Sequence, residues 1–211
     1  MELQDDYARA GFGARLGWGT APVLLVVDVC RAYVDPASPL YAGVEDAVAS
    51  VARLVTAARA AGIPVVWTRV RFAAGVGADA FHRKVPSLAV FGSELGEFVV
   101  GVSPAPGERV VVKDHASAFF GTSLDASLRA DGVDTVVVCG LSTSGCVRAS
   151  ALDALQHDFV PVVVREACGD RDVRPHEQAL FDLDNKYADV VSEAEVLARW
   201  APGRVTAWGA S

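Results

Sequence analysis

The sequence predicts an α/β fold: a three-layer, doubly wound and mainly parallel sheet with helices on both faces. Strand-sized apolar runs alternate with helix-length segments along the 211 residues, and this alternation is typical of such sheets. The runs are nearly continuous in apolar residues, which indicates strands that are buried on both faces. The clearest example is Val136–Cys139, which is followed by a glycine-containing turn and then by a helical pattern.

The N-terminal half of the chain is predicted to contain an arm, two strands and a helix. The longer predicted helix, 44–61, has apolar residues at helical spacing and is followed by Gly62, a residue type that often ends helices. Two strands joined by a helix form a right-handed crossover and pair in parallel. In chain order, the predicted elements are a polar arm over 1–21 with a short helix at 5–10, a strand at 23–29, a helix at 44–61, a strand at 63–68 and a loop-rich excursion over the cleft at 71–107.

The C-terminal half is predicted to continue the alternation to residue 200. A loop, 165–171, is expected beyond the C-terminal end of the fifth strand. No linker or internal repeat interrupts the pattern, so the chain is predicted to be one domain over residues 1–211. The predicted strands are 109–113, 136–139, 159–164 and 187–191, and the predicted helices are 124–131, 146–157, 176–184 and 193–200.

Composition excludes several classes of function. The net charge of −7 argues against a nucleic-acid partner, because phosphate binding needs a basic face. No apolar run reaches the roughly 20 residues of a membrane-spanning helix, and the N-terminus lacks the basic-then-apolar pattern of a signal peptide. The sequence therefore predicts a cytoplasmic protein without a membrane partner. Its four cysteines show no CxxC pair or zinc-finger spacing, so reduced thiols are expected.

Cys146 is the first candidate for chemistry. It is predicted to open a helix just beyond the C-terminal end of a parallel strand, where clefts form in open α/β sheets. The helix dipole and the free N–H groups at such a position stabilise a thiolate. A small buried residue that packs a tight turn is an equally good interpretation of Cys146 by itself.

Two charged residues mark the ends of other predicted strands. Asp28 ends the first and Lys113 ends the third, although a cap and a solvent-directed lysine explain each one separately. Together with Cys146 they make chemical sense at one cleft. The Lys113 ammonium lowers the thiol pKa, and Asp28 takes the thiol proton and returns it to a leaving amine. The set predicts acyl transfer from an amide to water through a thioester.

These residues also carry a resemblance to a known family. The chain resembles the isochorismatase-like cysteine hydrolases over about residues 20–195, and within them the branch of N-carbamoylsarcosine amidase and maleamate amidase. The segments similar to the family are Val27–Asp28, Val112–Lys113, Ser117–Thr122, Gly140–Val147 and Ala151–Ala154. The segments similar to the branch are Gly17–Gly19, Lys113–Phe119, Ser144–Arg148 and Arg165–Arg171.

The resemblance implies several features of the site. A non-proline cis peptide is expected at Leu141–Ser142, with the backbone N–H groups of Ser142 and Cys146 forming an oxyanion hole. Arg171 is expected to bind a substrate carboxylate, for which its guanidinium fork is suited; an ion pair with a neighbouring aspartate is the alternative. A homodimer or homotetramer is also implied. Phe119 and Trp67 are further candidates for the substrate wall, against ordinary core packing.

The sequence departs from the metal-binding members of this superfamily. Nicotinamidases hold a metal with an Asp-x-His element after the second strand, whereas residues 68–80 here contain no histidine. We therefore predict neither a metal nor a cofactor. The predicted function is cysteine-dependent hydrolysis of the C–N bond of a small, carboxylate-bearing amide or N-carbamoyl compound. The alternatives are a vinyl-ether hydrolase, a hydrolase of a larger natural-product amide or lactam, and a non-enzymatic binding or thiol-sensing module on the same fold.

Overall fold

The computed structural model describes residues 3–72 and 80–201, and these residues are organised around one parallel sheet. The strands are β1 (Pro22–Val27), β2 (Val65–Val70), β3 (Arg109–Lys113), β4 (Thr135–Leu141), β5 (Val160–Gly169) and β6 (Asp189–Val191). They form a six-stranded sheet in the order β3-β2-β1-β4-β5-β6, with all neighbouring pairs parallel. The predicted fold class is confirmed.

Helices cover both faces of the sheet. Their order follows the predicted pattern, with starts displaced by two residues in α1 and α5 and by three residues in α6. Asp172 caps that helix by accepting the backbone N–H of Arg174, and Pro175 is tolerated in the first turn. The helices are α1 (Leu3–Arg9), α2 (Glu45–Ala60), α3 (Ala80–Lys84), α4 (Leu124–Ala130), α5 (Arg148–Gln156), α6 (Val173–Lys186) and α7 (Glu193–Arg199).

Alternate residues of the central strand β1 face two separate cores. Leu24 and Val26 pack in the core beneath α2 and α7, whereas Leu25 and Val27 pack in the core beneath α4, α5 and α6. All four side chains are fully buried, and each such burial stabilises the fold by about 1.5–3 kcal/mol. A strand buried on both faces explains why its sequence is continuously apolar.

The fifth strand is longer than predicted, and the expectation of a loop over 165–171 is wrong for its first five residues. Arg165 and Glu166 are exposed and interrupt the apolar run, but β5 continues to Gly169. The strand register shifts between Val138 and Gly140, after which pairing resumes at Gly140–Cys168. The interruption therefore marks an irregularity within the strand, not its end.

Gly140 brings the end of β4 against the end of β1. Its φ is +122°, and a Cβ added there would lie 2.1 Å from the carbonyl oxygen of Val27. Any larger residue would separate the two strand ends. The close approach places the turn after β4 beside Asp28, the residue that follows β1.

The predicted excursion is described in part, since residues 73–79 lie outside the described residues. The remainder contains α3 and two 3₁₀ helices, Pro86–Gly92 and Glu94–Gly96. Leu88 and Phe91 from the first of these form a small third core with Val70 of β2. Within residues 3–72 and 80–201, no helix is both long enough and apolar enough to cross a membrane.

Candidate active site

The three residues predicted to carry chemistry meet at the C-terminal edge of the sheet. Asp28 directly follows β1, Lys113 is the last residue of β3, and Cys146 lies in the turn after β4. Their exposed fractions are only 1%, 2% and 8%, respectively. Parallel strand ends converge at one edge, which explains how residues so far apart in sequence form one buried cluster.

Lys113 is the hydrogen-bonding centre of this cluster. Its Nζ lies 2.7 Å from Asp28 Oδ2 and 3.6 Å from Cys146 Sγ. It also donates to the carbonyl oxygens of His115 and Ala116, each at 3.0 Å. An ammonium has three N–H donors, one fewer than these four acceptors, so every donor is engaged and the partners fix Nζ between the carboxylate and the sulfur.

Thr68 holds the other oxygen of Asp28, and the sequence analysis missed this residue. Its hydroxyl donates to Asp28 Oδ1 at 2.6 Å and accepts the Asp28 backbone N–H at 3.1 Å. Asp28 has φ +48°, a conformation that Asp adopts more readily than most residues. The available signal was a polar residue near the end of a buried apolar strand, β2, beside β1.

The thiol of Cys146 is neutral at rest. Burial raises its pKa, the nearby Asp28 carboxylate raises it further, and the Lys113 ammonium opposes both without cancelling them. For Lys113, burial alone lowers the pKa, but Asp28 and Cys146 raise it above its ordinary value, so the ammonium stays charged. The Lys113 ammonium thus lowers the thiol pKa in the predicted direction, but burial and Asp28 together raise it by more.

The turn that carries Cys146 is held from two sides. The Ser144 backbone N–H donates to Asp170 Oδ2 at 2.7 Å, and Thr143 Oγ1 lies 2.9 Å from Nδ1 of His176 on α6. The peptide bond between Leu141 and Ser142 is cis, as the resemblance implied. Cys146 does not itself open α5, which begins two residues later; it lies in the irregular turn Thr143–Val147.

A cavity of about 250 Å³ opens above the sulfur. Cys146, Ser142 and Gly145 are among the residues that line it. Most of its other described lining residues have apolar side chains, which is usual for small-molecule sites. The excursion contributes four of them, namely Phe81, Val85, Leu88 and Phe91.

Tyr33 also lines the cavity. Like Thr68, it was missed by sequence reasoning. Burial and the nearby Cys146 and Asp28 raise the pKa of its phenol well above the ordinary value. Tyr33 therefore presents a neutral hydroxyl to the site. It belongs to the short 3₁₀ helix Arg31–Tyr33 that follows β1, and only its nearness in sequence to Asp28 hinted at this position.

Arg171 lies at the rim of the same cavity. Its side chain donates from Nη2 to the carbonyl oxygen of Pro39 at 3.0 Å, and its backbone N–H donates to Asp170 Oδ1 at 2.9 Å. Among the described residues, no carboxylate lies within ion-pair distance of its guanidinium. The alternative of a structural ion pair with a neighbouring aspartate is therefore not what the structure contains.

The two aromatic candidates for the substrate wall lie elsewhere. Trp67 is fully buried beneath α2 and donates from Nε1 to Glu108 Oε2 at 2.6 Å. Phe119 stacks on His157, with ring centroids 5.6 Å apart, in the core on the opposite face of the sheet. Neither residue lines the cavity, so ordinary core packing accounts for both and the proposed contact with substrate is wrong.

The described residues contain no cluster of three or more His, Cys, Asp or Glu side chains arranged to hold a metal ion. The expectation of a site without metal or cofactor stays a prediction. The expectation that the backbone N–H groups of Ser142 and Cys146 form an oxyanion hole also stays a prediction.

Comparison with known proteins agrees with this architecture. Residues 22–195 match the isochorismatase domain family. The chain is 47% identical to maleamate amidohydrolase of Pseudomonas putida, over 93% of this chain and 94% of that one. It is 35% identical to N-carbamoylsarcosine amidase of Arthrobacter sp., over 90% and 75%. A cysteine hydrolase of Pseudomonas syringae pv. phaseolicola has the same fold, with a TM-score of 0.82, 24% identity and coverage of 89% and 97%. The chain belongs to the isochorismatase family.

Proposed function

We propose that this protein is a cysteine-dependent amidohydrolase. It cleaves the C–N bond of a small, carboxylate-bearing amide or N-carbamoyl compound through a thioester. The observation that carries the proposal is the position of Lys113 Nζ, 2.7 Å from Asp28 Oδ2 and 3.6 Å from Cys146 Sγ. The similarity to proteins named maleamate amidohydrolase and N-carbamoylsarcosine amidase supports the same class of bond.

Proton transfer from Cys146 to Asp28 begins the reaction. The thiol is neutral at rest because burial raises its pKa, so the carboxylate removes the S–H proton as sulfur attacks the amide carbon. The Lys113 ammonium stabilises the negative charge while it moves from carboxylate to sulfur. Thr68, which donates to Asp28 Oδ1, orients the carboxylate for this transfer.

Collapse of the tetrahedral adduct follows. Backbone N–H groups of the turn, from Ser142 and Cys146, stabilise the negative oxygen. Asp28 returns its proton to the nitrogen, the C–N bond breaks, and ammonia or an amine leaves. A water molecule then attacks the thioester carbon and gives a proton to Asp28. The acid product leaves, and the proton returns to the sulfur of Cys146.

The rim and the size of the cavity support the proposed class of substrate. The Arg171 guanidinium suits a carboxylate, since its planar fork matches two oxygens. A volume of about 250 Å³ is below the range of sites that hold drug-sized molecules. These two features favour a small amide that carries a carboxylate over a large natural-product amide or lactam.

The direct test measures ammonia release from maleamate, N-carbamoylsarcosine, nicotinamide and neutral amides, with Cys146→Ala alongside. We expect turnover of a carboxylate-bearing amide, its loss in the variant, and an acyl adduct on Cys146 that mass spectrometry detects after an acid quench. Turnover of a vinyl ether that survives Cys146→Ala would replace the proposal with the vinyl-ether alternative. Reversible oxidation of Cys146 without any amide turnover would favour the sensor instead.

Size-exclusion chromatography tests the implied homodimer or homotetramer.

A further inference from the structure

The ends of β4 and β5 lie side by side at the cavity. Leu141 pairs with Gly169, so the next residues along each strand, Ser142 and Asp170, start two neighbouring segments. The first segment leads to Cys146, and the second leads to Arg171. All of Ser142, Cys146, Asp170 and Arg171 line the same cavity. The proposed nucleophile and the proposed carboxylate anchor therefore sit on adjacent strand ends.

One carboxylate joins these two segments. Asp170 Oδ2 accepts the backbone N–H of Ser144 at 2.7 Å, and its Oδ1 accepts the backbone N–H of Arg171 at 2.9 Å. Each oxygen is thus engaged by a different segment. Hydrogen bonds to an ionised acceptor are about twice as strong as neutral ones, so Asp170 fixes the turn and the anchor segment relative to each other.

The same arrangement leaves the Arg171 side chain available. It has aspartates on both sides in sequence, yet Asp170 is engaged by backbone N–H groups and Asp172 by Arg174, at 2.8 Å from Nε and 2.9 Å from the backbone nitrogen. Within the described part of the chain, the guanidinium's polar partner is the carbonyl oxygen of Pro39. A carbonyl does not neutralise a positive charge, so this cation is open to an anionic ligand.

We propose that Asp170 is a positioning residue that couples carboxylate binding at Arg171 to the orientation of Cys146. The inference rests on the proposed function, because it takes Cys146 as nucleophile and Arg171 as anchor. The Thr143–His176 contact of 2.9 Å holds the other side of the turn, so that Asp170 controls one edge and α6 the other.

Asp170→Asn removes this coupling with little change in size. An asparagine side chain has one acceptor oxygen and an NH₂ group that donates. It satisfies one of the two backbone N–H groups and turns a donor toward the other. The neighbouring Asp172→Asn is the matched control, since Asp172 also accepts a backbone N–H but caps α6 and does not line the cavity.

The test compares alkylation of Cys146 by iodoacetamide and iodoacetate, located by mass spectrometry with Cys146→Ala as the blank. The reagents share one reaction, but only iodoacetate carries a carboxylate. We expect Arg171→Gln to slow iodoacetate alone. Asp170→Asn should slow iodoacetamide about tenfold, as loss of one such hydrogen bond implies, and also lower the iodoacetate-to-iodoacetamide ratio. In an Arg171→Gln background, Asp170→Asn should leave that ratio unchanged.

Three results would overturn the coupling. They are an unchanged ratio in Arg171→Gln, unchanged rates in Asp170→Asn, or equal effects of Asp172→Asn and Asp170→Asn. If Asp170→Asn does not fold, hydrogen exchange of the native protein decides, because the amides of Ser144 and Arg171 share one acceptor carboxylate and must therefore open together. Alkylation needs no amide substrate. Native alkylation behaviour as predicted, without any amide turnover, would therefore refute the amidohydrolase and leave the positioning role intact.

Discussion

Two pairs of an aspartate and a cation lie around Cys146 and its cavity, and they are arranged in opposite ways. At the floor, the Asp28 and Lys113 side chains are 1% and 0% exposed and bind each other at 2.7 Å. At the rim, Asp170 and Arg171 are adjacent in sequence, but the acid binds backbone N–H groups and the cation binds a backbone carbonyl. We call the floor pair closed because its two charges neutralise each other. We call the rim cation open because, among the described residues, the polar partner of its guanidinium is an uncharged carbonyl.

Burial explains the difference. A charge removed from water is very costly unless an opposite charge and hydrogen bonds replace its hydration. Asp28 and Lys113 must therefore bind each other, and the proposed chemistry of Cys146 relies on a pair that is buried from solvent. Arg171 is exposed, so water solvates its charge, and the proposed substrate carboxylate would replace that water. In the proposed mechanism, catalysis at the floor is thus separated from recognition at the rim.

The strongest test of this separation is loss of the sulfur. Cys146→Ala should lower kcat by about 10³-fold or more, as removal of a covalent nucleophile does in other hydrolases. Binding of a carboxylate product, measured by calorimetry, should change less than about threefold because the rim is intact. Cys168→Ala is the matched control, since Cys168 is also a buried thiol but does not line this cavity. Equal losses in the two variants would indicate a packing role for Cys146.

The second test addresses the closed floor pair. Lys113→Met leaves the Asp28 carboxylate buried without its cation, so the free energy of unfolding should fall by about 3–5 kcal/mol. Adding Asp28→Asn removes the stranded charge and should restore a large part of that loss, while activity stays absent. Urea denaturation measures both values. Equal stability of the single and double variants would mean that the pair does not behave as a buried, mutually dependent unit.

The floor was predictable from sequence because its signals are local. Asp28 and Lys113 each end an apolar run, and Cys146 follows one across a glycine-containing turn. Parallel pairing then brings the ends of such runs to one edge of the sheet. The positions of three residues therefore followed from strand ends alone.

What the sequence did not predict depends on contacts between distant segments. Thr68 is a partner of Asp28 because β1 and β2 pair in one particular register. The extra length of β5 follows from an irregularity in its pairing with β4. Trp67 precedes Thr68 and so faces the other side of the sheet, in the core beneath α2. The raised thiol pKa comes from burial by many segments, which no short motif encodes.

The third prediction concerns the open rim. Arg171→Gln should raise KM for carboxylate-bearing amides by about 10- to 100-fold, the effect of losing charged hydrogen bonds. Its kcat, and its kcat/KM for neutral amides, should change less than about threefold. Arg174→Gln is the control, because Arg174 is 86% exposed and pairs with Asp172. A loss confined to kcat would place Arg171 in the chemistry of the floor.

The smallest expected effect is a shift in the pH dependence of thiol alkylation, and it tests how far Lys113 offsets burial. Burial and Asp28 raise the pKa of Cys146, so the neutral thiol persists at pH values where a free cysteine, with a pKa near 8.5, is half ionised. The rate with iodoacetamide should keep rising beyond pH 9, because each unit of pKa lowers the thiolate fraction at neutral pH about tenfold.

Lys113→Met should move that rise to still higher pH, since the ammonium lowers the pKa of the thiol. Arg171→Gln is the control from the rim; because Arg171 is not among the leading causes of the shift in the Cys146 pKa, the midpoint of the profile should move far less than in Lys113→Met. A native midpoint below pH 7 would mean that the resting group is a thiolate. Asp28 would then have no thiol proton to remove, and its role would shift to activating water in the hydrolysis of the thioester.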